Sequence, residues 1–326
     1  MAKTAFVTGA TGFIGLNLIE HLHGEGWRVI ALHRRGSDVR LLDHWGVDRV
    51  EGDITDARSL QHCIPEGVDA VFHVAGNTRL WSRVRAEQMR VNVKGTRNVV
   101  RAALAARAQR LVHLSSIVAY GLHGGTISED TPTRGSGSPI YYVRSKALAE
   151  REVRRGISAG LAAVIVNPSN TMGRYDLSNW ARMFRLVRQH RTAAMPPGGG
   201  SFCHASEVAR AMVAAAEHGR VGQNYLLGGA PTTYVGLVRA IAEELRVRRR
   251  VWTVPPAMLQ RYAQLEEMAA VLFRREPDIT REAVALLSQN FYCHSRLAER
   301  ELGYRARPLS EMLIDSHAWL SEQGLA

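Results

Sequence analysis

The chain has little lysine, little cysteine and no long apolar run. The last two shortages argue against a disulfide-stabilised protein and against a membrane-spanning one, and the first draws attention to each lysine that is present. Only three lysines (Lys3, Lys94 and Lys146) stand beside 39 arginines in 326 residues, so a retained lysine suggests a need for an ammonium. Three scattered cysteines without a CxxC pair predict reduced thiols rather than a disulfide framework. No apolar run reaches the roughly 18 residues that cross a bilayer, and no signal-peptide pattern opens the chain. We therefore predict a cytoplasmic protein without stable membrane insertion.

Metal-binding spacings and nucleic-acid motifs are also missing. The 13 histidines show no i, i+4 pair enclosing an acid, which predicts no metal site. The net charge of +12 is spread along the chain, densest between residues 246 and 250, without a zinc-finger or RNA-binding pattern. We therefore expect no nucleic-acid partner. The charge is attributed to solvated helix faces, and it also suits phosphorylated cofactors and acidic substrates.

What is present begins with a glycine-rich turn. Residues 4–15 pass from a β-branched apolar segment through three glycines into a helical pattern, which predicts strand, tight turn and helix. Glycines at this spacing let the backbone approach a pyrophosphate, while the first N–H groups of the helix point at its charge. A tight turn without any ligand would need similar glycines. The residues predicted to hold the cofactor here are Gly9, Thr11, Gly12, Phe13, Ile14 and Gly15.

The end of the second predicted strand, residues 27–32, bears on the choice of cofactor. In dinucleotide-binding folds an acid at this point binds the 2′-OH of NAD, whereas an arginine accommodates the 2′-phosphate of NADP. Arg34 and Arg35 follow the strand, and no acid occurs until Asp38. The two arginines favour NADP (NADPH), although an ordinary exposed basic turn would have the same sequence.

Two further predicted strands end in residues that suit the same cofactor. After residues 47–50, Asp53 and Ile54 are assigned to the adenine edge, and Asp56 is predicted to cap a following helix. The apolar strand 69–74 ends in small residues that let a cofactor lie against the backbone. These are Val74, Ala75 and Gly76. His73, inside that strand, is interpreted as a satisfied core histidine.

A tyrosine and a lysine open a helical run after the fifth predicted strand. Tyr142 and Lys146 are four residues apart and share one helix face, so the ammonium can stabilise the phenolate. Because a free tyrosine has a pKa of about 10, acid catalysis on a carbonyl benefits from such a cation. The fifth strand, 110–114, delivers Ser115 and Ser116 at its carboxyl end, where ligands bind in open α/β folds. A serine there would polarise the same carbonyl oxygen.

In this order the motifs resemble the extended short-chain dehydrogenase/reductase superfamily, which includes nucleotide-sugar epimerases and dihydroflavonol reductases. The resemblance covers most of the chain and rests on residues 8–15, 52–53, 73–75, 92–96, 115–116, 142–146 and 167–173. It implies an α/β fold with a Rossmann-type doubly wound parallel sheet over residues 1–168. A return strand near 224–228 is expected to join this sheet, and residues 169–326 are expected to form mainly a smaller, largely helical substrate lobe.

The resemblance also implies roles for single residues. Tyr142 would be the catalytic acid/base, Lys146 would orient the nicotinamide ribose and lower the tyrosine pKa, and Ser116 would bind the substrate carbonyl. Asn92 would support the long helix and the backbone of the active site.

Two further expectations come from the same resemblance. Pro168 and Asn170 would lie near the nicotinamide and are assigned to cofactor binding. Many relatives are homodimers, so we expect a homodimer with a seam made by the helix through Asn92 and the helix that begins at Tyr142.

Three functions are compatible with these motifs. The first is an NADP-dependent reductase of a small-molecule aldehyde or ketone. The second is a nucleotide-sugar epimerase or dehydratase with bound NAD, which Asn167 in place of the usual arginine and Ser206 in place of a common acid weaken. The third is a non-catalytic dinucleotide-sensing protein, which would not need Ser116, Tyr142 and Lys146 together.

Two helical segments complete the predictions. Residues 83–108 are predicted as one long helix in which Gly95 marks close packing, because glycine inside a helix is otherwise unfavourable. Residues 251–273 carry an apolar stripe at roughly helical spacing, which predicts core packing of a small helical lobe. An apolar substrate pocket or a membrane-surface helix is the alternative for that stripe.

Overall fold

A computed structural model describes residues 2–177, 180–189, 194–248 and 250–325. Its centre is a parallel sheet of seven strands in the order β10-β6-β5-β4-β1-β2-β3. These strands are β1 Thr4–Thr8, β2 Arg28–His33, β3 Asp48–Glu51, β4 Ala70–His73, β5 Leu111–Leu114, β6 Ala163–Pro168 and β10 Asn224–Leu227. The strand order reverses beside β1, so the glycine turn that follows β1 lies at the switch point where such sheets bind ligands.

Helices cover both faces of the sheet. The helices in the described residues are α1 Phe13–Gly24, α2 Arg85–Met89, α3 Thr96–Ala105, α4 Tyr141–Ser158, α5 Ala181–Arg188, α6 Ala205–His218, α7 Tyr234–Glu244, α8 Pro256–Leu272, α9 Arg281–Leu287, α10 Arg296–Leu302 and α11 Leu309–Glu322. Apolar side chains of α1 and α6 pack on one face of the sheet, and those of α3 and α4 pack on the other. Because both faces are covered, β1, β4, β5 and β6 are buried along almost their whole length. The predicted doubly wound α/β fold is confirmed.

The later part of the chain adds two small sheets. Strands β7 Asn170–Met172, β9 Gly199–His204, β11 Ala230–Thr233 and β13 Asn290–Phe291 form one, and β8 Ala194–Met195 pairs with β12 Trp252–Thr253. A second apolar core lies among α5, α7 and α11. The edge strand β10 returns from this part of the chain to pair with β6. The division of the chain at residue 168 stays a prediction.

The predicted long helix over 83–108 is interrupted. A 3-10 turn, Ser82–Val84, precedes α2, and a π-helical segment, Arg90–Gly95, separates α2 from α3. The prediction of a helix after Asp56 is also wrong, because residues 54–63 form turns. The Asp56 carboxylate instead accepts from the N–H of Arg58 within these turns (2.9 Å). Close packing at Gly95 is confirmed, since a Cβ there would lie 2.7 Å from Cδ1 of Ile54.

The prediction that the apolar stripe of residues 251–273 packs in a core is wrong for most of its members. The segment does form a helix, α8, but within it Leu259 is buried whereas Met258, Tyr262, Leu265 and Met268 are exposed. Sequence periodicity correctly predicted the helix. In the fold, however, the side of α8 that carries Leu259, Ala263 and Ala270 packs against the protein, and most of the apolar stripe faces solvent.

Two features are absent from the residues that the structure describes. None of their helices is long and apolar enough to cross a membrane. Among the same residues, no three histidine, cysteine or acidic side chains are grouped so that they could hold a metal ion.

Candidate active site

The glycine turn between β1 and α1 makes a cradle that side chains would fill. Gly9 has a positive φ of 71°, and a Cβ on it would lie 2.6 Å from the backbone N of Ala75. A Cβ on Gly15 would lie 2.1 Å from the carbonyl oxygen of Gly9. Helix α1 begins after Gly12 without a side-chain cap, and its described first turn contains no acid. Its first N–H groups therefore remain available to a pyrophosphate, with Thr11, Phe13 and Ile14 partly exposed around them.

Replacing Gly15 with alanine is expected to destabilise this cradle. The new methyl group would collide with backbone rather than with a movable side chain, so the free energy of unfolding should fall by about 1–3 kcal/mol. Cofactor affinity should fall with it. Urea titration measures the first effect and fluorescence titration with NADPH the second. Gly24→Ala in the same helix is the control, because nothing lies within 4 Å of its Cβ position. Equal behaviour of the two variants would contradict the cradle.

The predicted adenosine end of the site is a groove of about 470 Å³ at the ends of β2 and β3. Arg34 and Arg35 line it and are exposed, and no carboxylate of the described residues lies within ion-pair distance of either guanidinium. Asp53 lines the groove, and its assignment to the adenine edge stays a prediction. Glu51 lines it too, and the sequence analysis did not select this residue. The groove thus presents two arginines that suit a phosphate and two carboxylates that suit hydroxyl or amino groups.

Asp53 and Ile54 differ in what they offer the groove. The Asp53 Oδ1 accepts from the N–H of Thr55 (2.8 Å), which leaves its other carboxylate oxygen. Ile54 is buried against Gly95, and its carbonyl oxygen accepts from Asn98 Nδ2 (2.8 Å). Its side chain therefore belongs to the core, and any contact of Ile54 with a cofactor would come through its backbone.

The residues after β4 join the glycine turn to helix α4. The N–H of Val74 donates to the carbonyl of Thr8 (3.2 Å), and Ala75 lies against Gly9. Gly76 is exposed, and a Cβ on it would lie 3.6 Å from Nζ of Lys146. A cofactor lying along these three residues would therefore reach from the cradle to Lys146. His73, just before them, is fully buried and bonded by both ring nitrogens to threonine hydroxyls, as expected for a core histidine.

Ser116 and Tyr142 meet although 26 residues separate them. Ser116 stands just after β5, in extended conformation, and Tyr142 is the second residue of α4. Their side chains lie close enough for the Ser116 hydroxyl to act on the Tyr142 phenol. Burial raises the pKa of Tyr142 above its ordinary value, and the nearby Ser116 hydroxyl opposes that shift. At neutral pH the phenol is therefore protonated and can donate.

Lys146 lies one turn further along α4 and is only 6% exposed. Its ammonium donates to the carbonyl oxygen of Leu114 (3.0 Å), the last residue of β5. Burial lowers the pKa of Lys146 to about 8, while the charge of Glu150 opposes the shift. A cation thus persists at neutral pH beside Gly76. That the Lys146 ammonium lowers the pKa of Tyr142 stays a prediction.

Glu150 is a buried residue that the sequence analysis missed. Its carboxylate accepts from the Ser115 hydroxyl and from the amides of Asn167 (2.6 Å) and Asn224 (3.2 Å). Burial raises its pKa, and these three hydrogen bonds oppose the shift. The network joins α4 to β5, β6 and β10 beneath the candidate catalytic residues. The sequence did offer one signal for Glu150. It follows Lys146 by four residues, which places both side chains on the same face of α4.

Asn92 fixes the loop after β4 against α4. Its Oδ1 accepts from the N–H of Asn77 (2.7 Å), and its Nδ2 donates to the Asn77 carbonyl (2.9 Å) and to the Ser145 hydroxyl (2.9 Å). It sits within the π-helical segment. The position of Gly76 relative to Lys146 is therefore set by a side-chain amide.

Pro168 and Asn170 lie at the junction of the two parts of the chain. Pro168 ends β6 and is buried opposite Leu227. Asn170 Nδ2 donates to the carbonyl of Ser201 (3.0 Å) in the neighbouring sheet. That amide nitrogen is thus already engaged, and the assignment of both residues to cofactor binding stays a prediction.

The chain is similar to known proteins over nearly its whole length. The model of the NAD dependent epimerase/dehydratase family matches residues 5–228. The chain is 33% identical to sterol demethylase protein B of Methylococcus capsulatus, over 99% of both chains. It is 31% identical to a 4-hydroxy-2-methyl-3-oxo-4-farnesyl-3,4-dihydroquinoline-1-oxide ketoreductase of Stigmatella aurantiaca, over 95% of this chain and 94% of the relative.

Solved structures share the whole fold. The crystal structure of gox2253 covers 99% of both chains with 33% identity and a TM-score of 0.86. The UDP-glucuronic acid 4-epimerase of Bacillus cereus, solved with NAD, has a TM-score of 0.77 at 16% identity and covers 99% of this chain and all of its own. The chain therefore belongs to the NAD dependent epimerase/dehydratase family and is an enzyme of the extended short-chain dehydrogenase/reductase type.

Proposed function

We propose that this enzyme reduces an aldehyde or ketone of a small molecule with NADPH, and that Tyr142 supplies the proton. The observation that carries the proposal is the proximity of Ser116 and Tyr142 at the carboxyl end of the sheet, with the Lys146 ammonium one helical turn away. The glycine cradle and the arginine-lined groove fit a dinucleotide, because they combine free helix N–H groups with positive charge.

NADPH, when bound, supplies the hydride to the carbonyl carbon. The Ser116 hydroxyl donates to the carbonyl oxygen and so favours the charge that develops on it. Tyr142 transfers its proton to the same oxygen, which completes the alcohol. Lys146 stabilises the phenolate that remains, and Glu150 and its amide partners hold α4 in place against the sheet.

The substrate class is tested by turnover. Two relatives carry names that indicate chemistry on a sterol and on a farnesyl-bearing ketone, which supports apolar carbonyl compounds as the first set to screen. We expect NADPH oxidation with such ketones or aldehydes in a spectrophotometric assay. Conversion of a UDP- or dTDP-sugar without net cofactor use, together with NAD that co-purifies, would establish the epimerase or dehydratase function instead.

The parent enzyme is expected to bind NADPH more tightly than NADH, because Arg34 and Arg35 line the groove. Changing Arg34 to Asp should reverse the preference by about tenfold or more, since a hydrogen bond to a charged group contributes on the order of 1.5–3 kcal/mol. Fluorescence titration with both cofactors gives the ratio. Arg107→Asp is the control, being an exposed arginine outside the groove. Equal affinity of the parent for NADPH and NADH would refute the assignment.

We also propose a homodimer whose seam is formed by α4 and the segment from α2 to α3. These elements pack side by side, as Gly156 of α4 shows, where a Cβ would lie 2.5 Å from Cγ1 of Val100. Light scattering is expected to give twice the chain mass of 36.1 kDa. Leu148→Arg, at a partly exposed position of α4, should shift the protein toward monomer. A monomeric parent at micromolar concentration would rule the seam out.

A further inference from the structure

Helix α8 turns its apolar stripe to solvent. The side chains concerned are 58% to 77% exposed, and we call them the apolar face of α8: Met258, Tyr262, Leu265, Met268 and Leu272. They recur at spacings of three and four residues and so lie along one side of the helix. Trp252 before the helix and Phe273 after it are also more than half exposed. A contiguous exposed face of this kind marks a binding surface.

The helix is anchored on its opposite side. Leu259, Ala263 and Ala270 are buried there. The Glu267 carboxylate accepts from the N–H of Arg281 (3.0 Å) and from its guanidinium (2.9 Å), which ties α8 to α9. The exposed face is thus held outward by the fold.

Positive charge lies beside the apolar face, on α8 itself and at the C-terminal end of the helix. Arg261 is exposed on α8, and a cavity of about 380 Å³ at the C-terminal end of the helix is lined by four arginines and one acid: Arg79, Arg83, Arg274, Arg275 and Glu276. Among the described residues, no carboxylate pairs with Arg83, Arg261 or Arg274 within 4.0 Å. The acids of α8 are both engaged, Glu266 by Arg275 (2.6 Å) and Glu267 by Arg281. The rim therefore offers guanidinium groups to an anionic partner.

We propose that the apolar face of α8 docks on a membrane surface of anionic phospholipid. Apolar side chains would enter the boundary between headgroups and acyl chains while the arginines contact phosphate. Charge favours this occupant over a second copy of the chain docked at the same face, since both copies would bring the same arginine rim together. Docking of this kind does not require a membrane-spanning helix.

The surface adjoins the candidate active site. Arg79, in the loop after β4, pairs with Glu276 (2.9 Å), and the Thr280 hydroxyl donates to the carbonyl of Leu80. Leu80 packs in the same apolar cluster as Tyr142. If the proposed function holds, an apolar carbonyl substrate dissolved in the bilayer would enter the enzyme beside this surface.

Vesicle co-sedimentation with the full chain tests the docking. We expect binding to vesicles of phosphatidylcholine mixed with phosphatidylglycerol, little binding to phosphatidylcholine alone, and weaker binding at high salt. Leu265→Ser and Leu272→Ser should each weaken binding about tenfold, and Arg274→Gln should weaken it selectively on anionic vesicles. Ile314→Ser is the control, because Ile314 is a comparably exposed apolar residue (56%) on α11.

Three outcomes would overturn the proposal. They are failure of the parent to bind anionic vesicles, unchanged binding by both leucine variants, and a loss of self-association by those variants in light scattering, which would identify a second copy as the occupant. Circular dichroism and thermal melting confirm that each variant is folded. Vesicle binding needs no turnover, so Tyr142→Phe should bind like the parent and keeps this test separate from the proposed function.

Discussion

Replacing Tyr142 with phenylalanine is expected to lower turnover by about 10²- to 10⁴-fold, the usual contribution of a positioned proton donor. The Tyr142 phenol lies beside Ser116, and burial holds its pKa above the ordinary value, so the group is a neutral acid at working pH. The aromatic ring would still fill its place in α4. NADPH affinity should therefore stay within about twofold of the parent, well below the tenfold that 1.4 kcal/mol represents.

Tyr141→Phe is the matched control for this prediction. Tyr141 is the neighbouring residue of α4, and its hydroxyl accepts from the guanidinium of Arg85 (3.3 Å). It should retain nearly full turnover. If Tyr142→Phe were equally active, another group would have to supply the proton, and the proposed site would be wrong.

Changing Lys146 to Arg is expected to lower turnover and NADPH affinity together. The buried Lys146 ammonium lies between the Leu114 carbonyl oxygen and the backbone of Gly76. A planar guanidinium is too broad for this space. Misplaced charged hydrogen bonds should weaken cofactor binding by about 1–2 kcal/mol, or roughly 5- to 30-fold. Stopped-flow turnover and NADPH titration separate this variant from Tyr142→Phe, which affects turnover alone.

The pH dependence gives an independent measure of Lys146. Burial lowers its pKa to about 8, so the cation is present below that pH and is lost as the pH rises through it. Affinity for the anionic cofactor should fall over the same range in the parent. An arginine keeps its charge, so the variant should lack this step.

Lys94→Arg is the control, because Lys94 is exposed on the π-helical segment. Full activity and an unchanged pH profile in Lys146→Arg would show that Lys146 has only a structural part.

Much of the cofactor side of the site was predictable because its determinants are local. The glycine turn follows directly after β1, and its Gly9 and Gly15 are only six positions apart, although Ala75 from the next part of the sheet also lies against Gly9. Tyr142 and Lys146 fall on one face of α4 through helical periodicity alone. Strand ends that carry Arg34, Asp53 and Gly76 converge because parallel strands place their carboxyl ends at one edge of the sheet.

Long-range contacts account for what the sequence analysis missed or misjudged. Asn92 bonds to both backbone groups of Asn77, and the helix around it adopts a π-helical segment that no local pattern announced. The turns after Asp53 are held by the Ser59 hydroxyl, which donates to the Asp53 carbonyl (2.8 Å). The Glu150 carboxylate accepts hydrogen bonds from Asn167 and Asn224, which lie on two different strands and meet it only in the folded protein.

The sequence by itself determined the order of the first five strands of the central sheet, the glycine turn and the placement of Tyr142 and Lys146 on one helix face, because spacing along the chain dictates each of these. Only the tertiary structure decided that Ser116 meets Tyr142 and that Glu150 is buried beneath them. It also decided which side of α8 faces water, since periodicity reveals that a helix has an apolar face but not whether the fold supplies a surface to cover it.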